Sequence, residues 1–109
     1  MTRNAIAMGI CILAGGTVGA QELAINGGFE TGDTSGWDFF PTPNSSFTAV
    51  SDAFSGNFAG RLENLTDGSA ALIKQANVGI GVVNPGDEIQ ISFYAKGANG
   101  PGGVNFAEF

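Results

Sequence analysis

The chain has no histidine and a single cysteine, and these scarcities exclude several kinds of chemistry. Catalytic triads that depend on histidine are ruled out, and one cysteine cannot form a disulfide within the chain. Basic residues are also few, with 4 Lys and Arg against 10 Asp and Glu, for a formal net charge of −6. Nucleic acids and anionic membranes are both bound by basic surfaces. The composition therefore argues against either as a partner and favours a soluble extracellular protein or one that binds a divalent cation.

Amphipathic helix patterns are absent after residue 20, and two other residue types are abundant instead. The chain contains 18 glycines and 9 phenylalanines among 109 residues. This combination is typical of short strands and tight turns packed around aromatic side chains.

Residues 1–20 have the three parts of a secretory signal peptide. Arg3 supplies the positive start, residues 5–14 form an apolar run, and Val18 and Ala20 occupy the small-residue positions before a cleavage point. The apolar run is shorter than the roughly 20 residues that span a bilayer, which argues against a retained membrane anchor. We therefore predict cleavage after Ala20 and a secreted protein, extracellular or periplasmic.

The predicted mature domain, residues 21–109, keeps no cysteine, because Cys11 leaves with the signal. A lipid anchor on Cys11 is disfavoured, since the bulky Ile10 precedes it where a small residue is required. A small secreted domain without disulfides needs a sufficient core, a metal or a partner for its stability. We expect no membrane contact after cleavage.

Strand patterns recur along the rest of the chain. The clearest is 88–96, where Ile89, Ile91 and Phe93 alternate with polar residues after a Pro85-Gly86 turn. The other candidate strands are 23–25, 37–40, 46–50, 58–64, 70–78 and 104–109. We predict an all-β domain, most simply a two-sheet jelly-roll sandwich. A jelly roll has eight strands, so the count predicts a sandwich that is incomplete at its C-terminal end.

The most informative motif is Asn26-Gly27-Gly28-Phe29-Glu30, followed by Gly36-Trp37. Glycines allow backbone turns that other residues resist. A carboxylate held in such a turn beside free carbonyls can bind a hard cation such as calcium.

This motif and three later segments, in the same order and spacing, resemble carbohydrate-binding modules of the family 4/9 and 22 type, which are galactose-binding-domain-like jelly rolls. The later segments are 55–58, 72–75 and 85–87 running into 91–96, so the resemblance covers roughly residues 23–97. It implies a jelly roll that binds a polysaccharide or oligosaccharide, such as a β-glucan or xylan, in a cleft. Such modules are commonly attached to glycoside hydrolases.

The resemblance also implies a structural calcium ion. Its ligands would be the Glu30 carboxylate and oxygens near Gly28 and in the turn that contains Ser55 and Asn57. In the family an aspartate near the end of the domain completes the shell, and this chain has no matching residue. The alternative is that Glu30 is an exposed acid in a turn.

Four residues are candidates for sugar contact. Tyr94 lies on the opposite face of its predicted strand from the apolar residues, so its ring is free to stack on a pyranose. Arg61 and Gln75 would donate hydrogen bonds to sugar hydroxyls. The alternatives are an ion pair of Arg61 with Glu63, and a Gln75 amide that satisfies backbone groups. Phe40 is the fourth candidate, because adjacent aromatic residues of one strand point to opposite faces.

The other aromatic side chains are assigned to the core. Trp37 would suit a sugar platform, but a core position near the start of the domain is favoured. The core set also includes Phe39, Phe40, Phe47, Phe54 and Phe58, with one of the adjacent pair Phe39 and Phe40 pointing to the other face.

The acidic residues form no recognisable catalytic motif, although glycoside hydrolysis needs only two carboxylates about 5–9.5 Å apart. We therefore predict a non-catalytic binding module. Two alternatives stay open: an extracellular structural or adhesive β-sandwich without sugar binding, and the accessory-domain fragment of a glycoside hydrolase.

Overall fold

The computed structural model describes residues 4–15, 21–105 and 107–108, and for 4–15 only the backbone pairing. Seven strands run in chain order: β1 Asn4–Gly15, β2 Gln21–Glu22, β3 Asp38–Phe40, β4 Ser45–Val50, β5 Ala59–Asn64, β6 Leu72–Lys74 and β7 Glu88–Ala98. The prediction of an all-β chain is confirmed for these residues, which contain no helix. It follows that none of their segments is a helix of the length and apolarity that a membrane crossing requires.

The strands form two small antiparallel sheets. In the larger sheet the order is β4-β5-β1-β7, with β2 pairing the end of β1 on the β5 side. The smaller sheet pairs β3 with β6. Among the described strands, β7 pairs with β1 alone and therefore joins the rest of the sheet only through it.

The predicted strands differ in how well they match the structure. The alternating segment 88–96 is a strand that continues to Ala98, and 37–40, 46–50 and 58–64 are each right to within a residue. The strand predicted at 70–78 is shorter in the structure: only Leu72–Lys74 is extended, and Asn77 has a positive φ of 59°. A left-handed residue turns the chain and ends an extended run.

The two ends of the domain also depart from prediction. No strand forms at 23–25, where one was predicted: the nearest described strand is Gln21–Glu22, and residues 104 and 105 also belong to no strand. The rest of the predicted strand at 104–109 includes positions 106 and 109, which lie outside the described residues.

The core lies on one face of the larger sheet. The register places Phe47 opposite Leu62 and Ala49 opposite Gly60, so these side chains share that face. The ring of Phe29, which is fully buried, packs over Gly60. A Cβ atom at position 60 would lie 2.4 Å from that ring, so any side chain there would displace it.

The apolar run that predicts a signal peptide forms β1 in this structure. Residues 4–8 pair with β5, and residues 5–15 pair with β7. The predicted cleavage point after Ala20 lies outside the described residues, and cleavage stays a prediction. Removal of the signal would take away the strand that connects β7 to β5.

Candidate functional site

The side chain of Asn26 organises the loop that carries the sequence motif. Its amide nitrogen donates to the carbonyls of Asp33 and Ser35, at 3.1 and 3.0 Å, and its amide oxygen accepts from the Thr31 backbone at 3.3 Å. The indole nitrogen of Trp37 donates to the Asn26 carbonyl at 3.2 Å. One asparagine thus holds both ends of the loop together.

Asp33 reinforces the same loop. One of its carboxylate oxygens accepts bonds from the Thr31 hydroxyl at 2.6 Å, the Ser35 amide at 3.0 Å and the Ser35 hydroxyl. These bonds, led by the Ser35 hydroxyl, lower the pKa of Asp33 despite the opposing effect of desolvation. Sequence reasoning missed Asn26 and Asp33 as organisers, although an aspartate two residues before a serine is a signal for such a turn.

The motif aromatics form a packed cluster beneath this loop. The rings of Phe29 and Trp37 stack with centroids 5.7 Å apart, and Phe47 meets Phe29 edge-on at 5.8 Å. The ring centroid of Phe39 lies 6.0 Å from that of Phe47. Trp37 is half-buried, and its ring packs against the fully buried Phe29, so it lies at the margin of the core.

Glu30 connects the motif loop to the turn before β5. Its carboxylate accepts the backbone N–H groups of Asn57 at 2.9 Å and Phe58 at 3.1 Å, together with the Asn57 side-chain amide at 3.2 Å. The Phe58 bond is the largest cause of a lowered pKa for Glu30. Gly56 has a φ of +72°, and a Cβ there would lie 2.2 Å from a Glu30 oxygen, so the turn requires glycine.

The predicted calcium ligands come close together, but they are arranged as hydrogen-bond partners. Glu30 faces N–H donors of Asn57, which is two residues after Ser55, and Gly28 lies near the Glu30 side chain. Calcium takes about 6–8 oxygen ligands, and N–H groups cannot contribute. Within the described part of the chain no three acidic, histidine or cysteine side chains converge. In this arrangement the residues do not fit a calcium shell, and they form instead a carboxylate latch.

Gln75 is fully engaged with backbone groups. Its amide oxygen accepts from the Ile25 N–H at 2.8 Å, and its amide nitrogen donates to the carbonyls of Ile25 at 2.7 Å and Gly36 at 2.9 Å. The side chain therefore pairs with Ile25 as a neighbouring strand would. Both amide hydrogens are used, which agrees with the alternative of a backbone-satisfying amide.

Tyr94 lies on the outer face of the larger sheet and stacks on Phe54. The ring centroids are 3.8 Å apart with planes at 21°, and 58% of Tyr94 and 75% of Phe54 remain exposed. The assignment of Phe54 to the core is therefore wrong. Next to this aromatic pair, the Lys96 ammonium lies 2.6 Å from a carboxylate oxygen of Asp52. The two contacts connect the loop after β4 to β7.

The register brings Arg61 to the same face as Tyr94. Arg61 and Lys96 both pair with position 7 of β1, one from each side, which separates their strands by about 10 Å. The Arg61 guanidinium bonds the Glu63 carboxylate at 2.9 Å, and the Arg61 side chain is 42% exposed. The ion pair proposed as an alternative is thus present, and it leaves part of the guanidinium open to solvent.

Phe40 belongs to a different surface. It lies on β3 in the smaller sheet, opposite Leu72 of β6, and is about half exposed. Of the four sugar-contact candidates, only Tyr94 and Arg61 share a sheet face.

A shallow groove of about 230 Å³ lies between segments 21–25 and 75–82. It falls below the roughly 300–1,000 Å³ of typical small-molecule sites. Gln75 lines it but has its amide committed. The exposed aromatic pair is therefore the stronger candidate site.

Comparisons of the chain with protein-family models, with curated proteins and with solved structures find no match.

Proposed function

We propose that the chain is a secreted, non-catalytic carbohydrate-binding module of jelly-roll type that binds a polysaccharide such as a β-glucan or xylan. The observation that carries the proposal is the exposed stack of Tyr94 on Phe54. Large aromatic rings left in water on a small domain need a reason, because apolar area is normally withdrawn from solvent.

The chemistry of the aromatic pair suits a sugar ring. The apolar face of a pyranose stacks on an aromatic ring, and the Tyr94 hydroxyl is available for hydrogen bonding. Because Tyr94 and Phe54 cover one face of each other, the outward ring faces are the ones that a sugar would contact. Two rings held together present a stiffer platform than one free side chain, so less conformational entropy is lost on binding.

Charged side chains near the rings supply hydrogen-bond donors. Lys96 offers an ammonium group beside Asp52, and Arg61, which lies on the same sheet face while β1 is present, offers guanidinium N–H groups beyond its bond to Glu63. The platform is open rather than enclosed, which favours a section of a polymer over a small free sugar. This differs from the cleft that the resemblance implies.

The test is retention on insoluble polysaccharides. We expect the protein to be retained on at least one glucan, xylan or mannan, and Tyr94→Ala and Phe54→Ala each to reduce retention at least tenfold. Phe40→Ala is the matched control, because Phe40 is a half-exposed aromatic residue of the other sheet. Circular dichroism verifies that each variant is folded. No retention of the folded wild-type protein on any polysaccharide would contradict the proposal.

A structural or adhesive β-sandwich is the second candidate function. It is favoured by the apolar residues of β7 that remain exposed on the core face of the sheet, Ile89, Ile91 and Phe93. A surface of this kind is typical of protein association. This function predicts that Tyr94→Ala has no effect on any polysaccharide assay.

A further inference from the structure

The structure anchors the chain close to the predicted cleavage point. The backbone N–H and C=O of Ile25 both bond the Gln75 amide, at 2.8 and 2.7 Å. One residue earlier, Ala24 is buried, and its N–H donates to the Glu22 carboxylate at 3.1 Å. None of these contacts involves β1, so they do not depend on the segment that we predict is removed.

Gln21 lies just before this anchored segment, and its strand pairing is lost with the signal. Its backbone pairs with position 14 of β1. The residue is exposed, and its side-chain amide bonds no group among the described residues. Cleavage after Ala20 would therefore leave Gln21 as the first residue, with its α-amine and its side-chain amide both unconstrained.

A first-residue glutamine carries both a nucleophile and a leaving group. The α-amine is partly unprotonated at neutral pH, and in that form it attacks the side-chain carbonyl carbon Cδ. A bond forms between the α-nitrogen and Cδ, which closes a five-membered lactam, and the bond between Cδ and Nε2 breaks. The side-chain nitrogen takes the proton that the α-amine gives up and leaves as ammonia. The reaction needs no oxidant, reductant or second substrate.

The surface beside Gln21 suits the product of this reaction. Gln21 lies at the rim of the groove between segments 21–25 and 75–82, where Ile25 and Ile80 expose apolar surface. The described residues that line the groove include no Lys or Arg. An α-ammonium group next to apolar side chains loses part of its hydration, whereas an uncharged lactam has no charge to desolvate.

We propose that Gln21 is a modification site, at which the mature chain cyclises to pyroglutamate and so begins with a blocked, uncharged end. The inference rests on the predicted cleavage after Ala20, and it stands whether or not the aromatic pair binds sugar. The ring atoms all belong to one residue, so closure requires only rotation of the exposed side chain and moves nothing in the anchored segment.

The block protects the contacts that anchor the motif loop. Aminopeptidases remove residues one at a time from a free α-amine. From an unblocked end they would soon reach Ile25, which Gln75 binds, and then Asn26, whose side chain holds the two ends of the loop together. A lactam in the first position stops this removal at its first step.

Mass spectrometry of the N-terminal peptide tests the proposal on the protein secreted from the full coding sequence. We expect a peptide that begins at position 21 and is lighter than its sequence by one ammonia, with the loss placed in the first residue by fragmentation. A peptide that begins at position 21 and keeps an intact glutamine after prolonged incubation at neutral pH would overturn the cyclisation. A peptide that begins elsewhere would overturn the cleavage on which the inference rests.

Gln21→Asn is the matched control, because it keeps the amide but would need a strained four-membered ring to cyclise. Its first residue should react with an amine-specific label, and an aminopeptidase should shorten it under conditions that leave the wild-type protein intact. Pyroglutamyl peptidase, which removes only the lactam residue, should make the wild-type protein equally sensitive. Equal labelling of the first residue in the untreated wild-type and Gln21→Asn proteins would contradict the proposal.

Discussion

The aromatic cluster of Phe29, Trp37, Phe39 and Phe47 and the ladder of β1 with β7 are stabilised in opposite ways. The cluster is closed by side chains that reach across the sequence, such as Gln75 to Ile25 and Glu30 to Phe58. The ladder depends on backbone pairing along β1, and every residue of β7 stays exposed.

The buried cluster therefore contributes mainly to stability, and the exposed strand β7 is the part of the molecule that is available for recognition. Where rings are buried and amide groups are satisfied, a substitution costs folding free energy. Where a strand is paired on one edge and exposed on both faces, local opening is easy and the surface is available to partners. The aromatic pair proposed to bind sugar accordingly includes Tyr94 of β7.

The largest expected change in the free energy of unfolding comes from a substitution in the aromatic cluster. Phe29→Ala should lower the free energy of unfolding by about 3–5 kcal/mol, because it empties the site beneath Trp37 and above Gly60. Phe54→Ala is the matched control on an exposed ring and should stay within about 0.5 kcal/mol. Urea unfolding measures both variants. Similar losses in the two would break the contrast between buried and exposed aromatics.

The second largest expected change in stability comes from a disulfide between β1 and β7. The backbone register pairs position 11 with position 92, so Ser92→Cys should form an intrachain disulfide with Cys11 in chains from which the predicted signal has not been cleaved. Closing that loop should add about 2–4 kcal/mol to stability. Mass spectrometry with and without reductant detects the bond. If the recovered protein begins at Gln21, the signal has been cleaved, and the same experiment shows that β1 does not belong to the mature fold.

Loss of the Gln75 amide should have the next largest effect. Gln75→Ala removes the partner of the Ile25 backbone groups and of the Gly36 carbonyl, and because these bonds are exposed to water the loss should be about 0.5–1.5 kcal/mol. Lys74→Ala, at an exposed neighbouring position, should cost less than about 0.5 kcal/mol. A Gln75→Ala protein as stable as the Lys74→Ala protein would show that the side chain does not substitute for a strand.

Acid should loosen the Glu30 latch. The pKa of Glu30 is lowered in the folded state, so the folded protein binds this proton more weakly than the unfolded chain does. Its contribution is complete above the unfolded value, about 4.3, and is lost as pH falls through the lower folded value. Glu30→Gln should reduce the melting temperature at pH 7 and show a smaller loss on acidification. Parallel pH profiles for the two proteins would argue against the latch.

Calcium should have the smallest effect. The groups around Glu30 are N–H donors, which do not bind calcium. The melting temperature should therefore be the same in millimolar calcium and in chelator. Binding with a dissociation constant of about 10 µM would instead add about 2.7 kcal/mol at 1 mM. A calcium-dependent rise that Glu30→Gln abolishes would restore the ligand role that the family resemblance implies.

Local pattern predicted the strands better than the contacts between loops. β7 was clear because its apolar and polar residues alternate without interruption, whereas 70–78 lacked alternation and only its middle is a strand. The partners of Gln75 and Glu30 are 50 and 27 residues away, and no short-range pattern indicates them. The stacking of Phe54 on Tyr94 was missed because a phenylalanine in a small β domain is usually buried.

The sequence by itself determined that the described chain is β-structured and which face of β7 is apolar, because strand alternation is a local property. It also determined that histidine-dependent and disulfide chemistry are absent within the chain. Only the tertiary structure decided that Glu30 accepts N–H groups, that Gln75 pairs with Ile25, and that Tyr94 stacks on Phe54. These contacts join loops that are distant in the sequence and come together only in the folded chain. No single segment therefore specifies them.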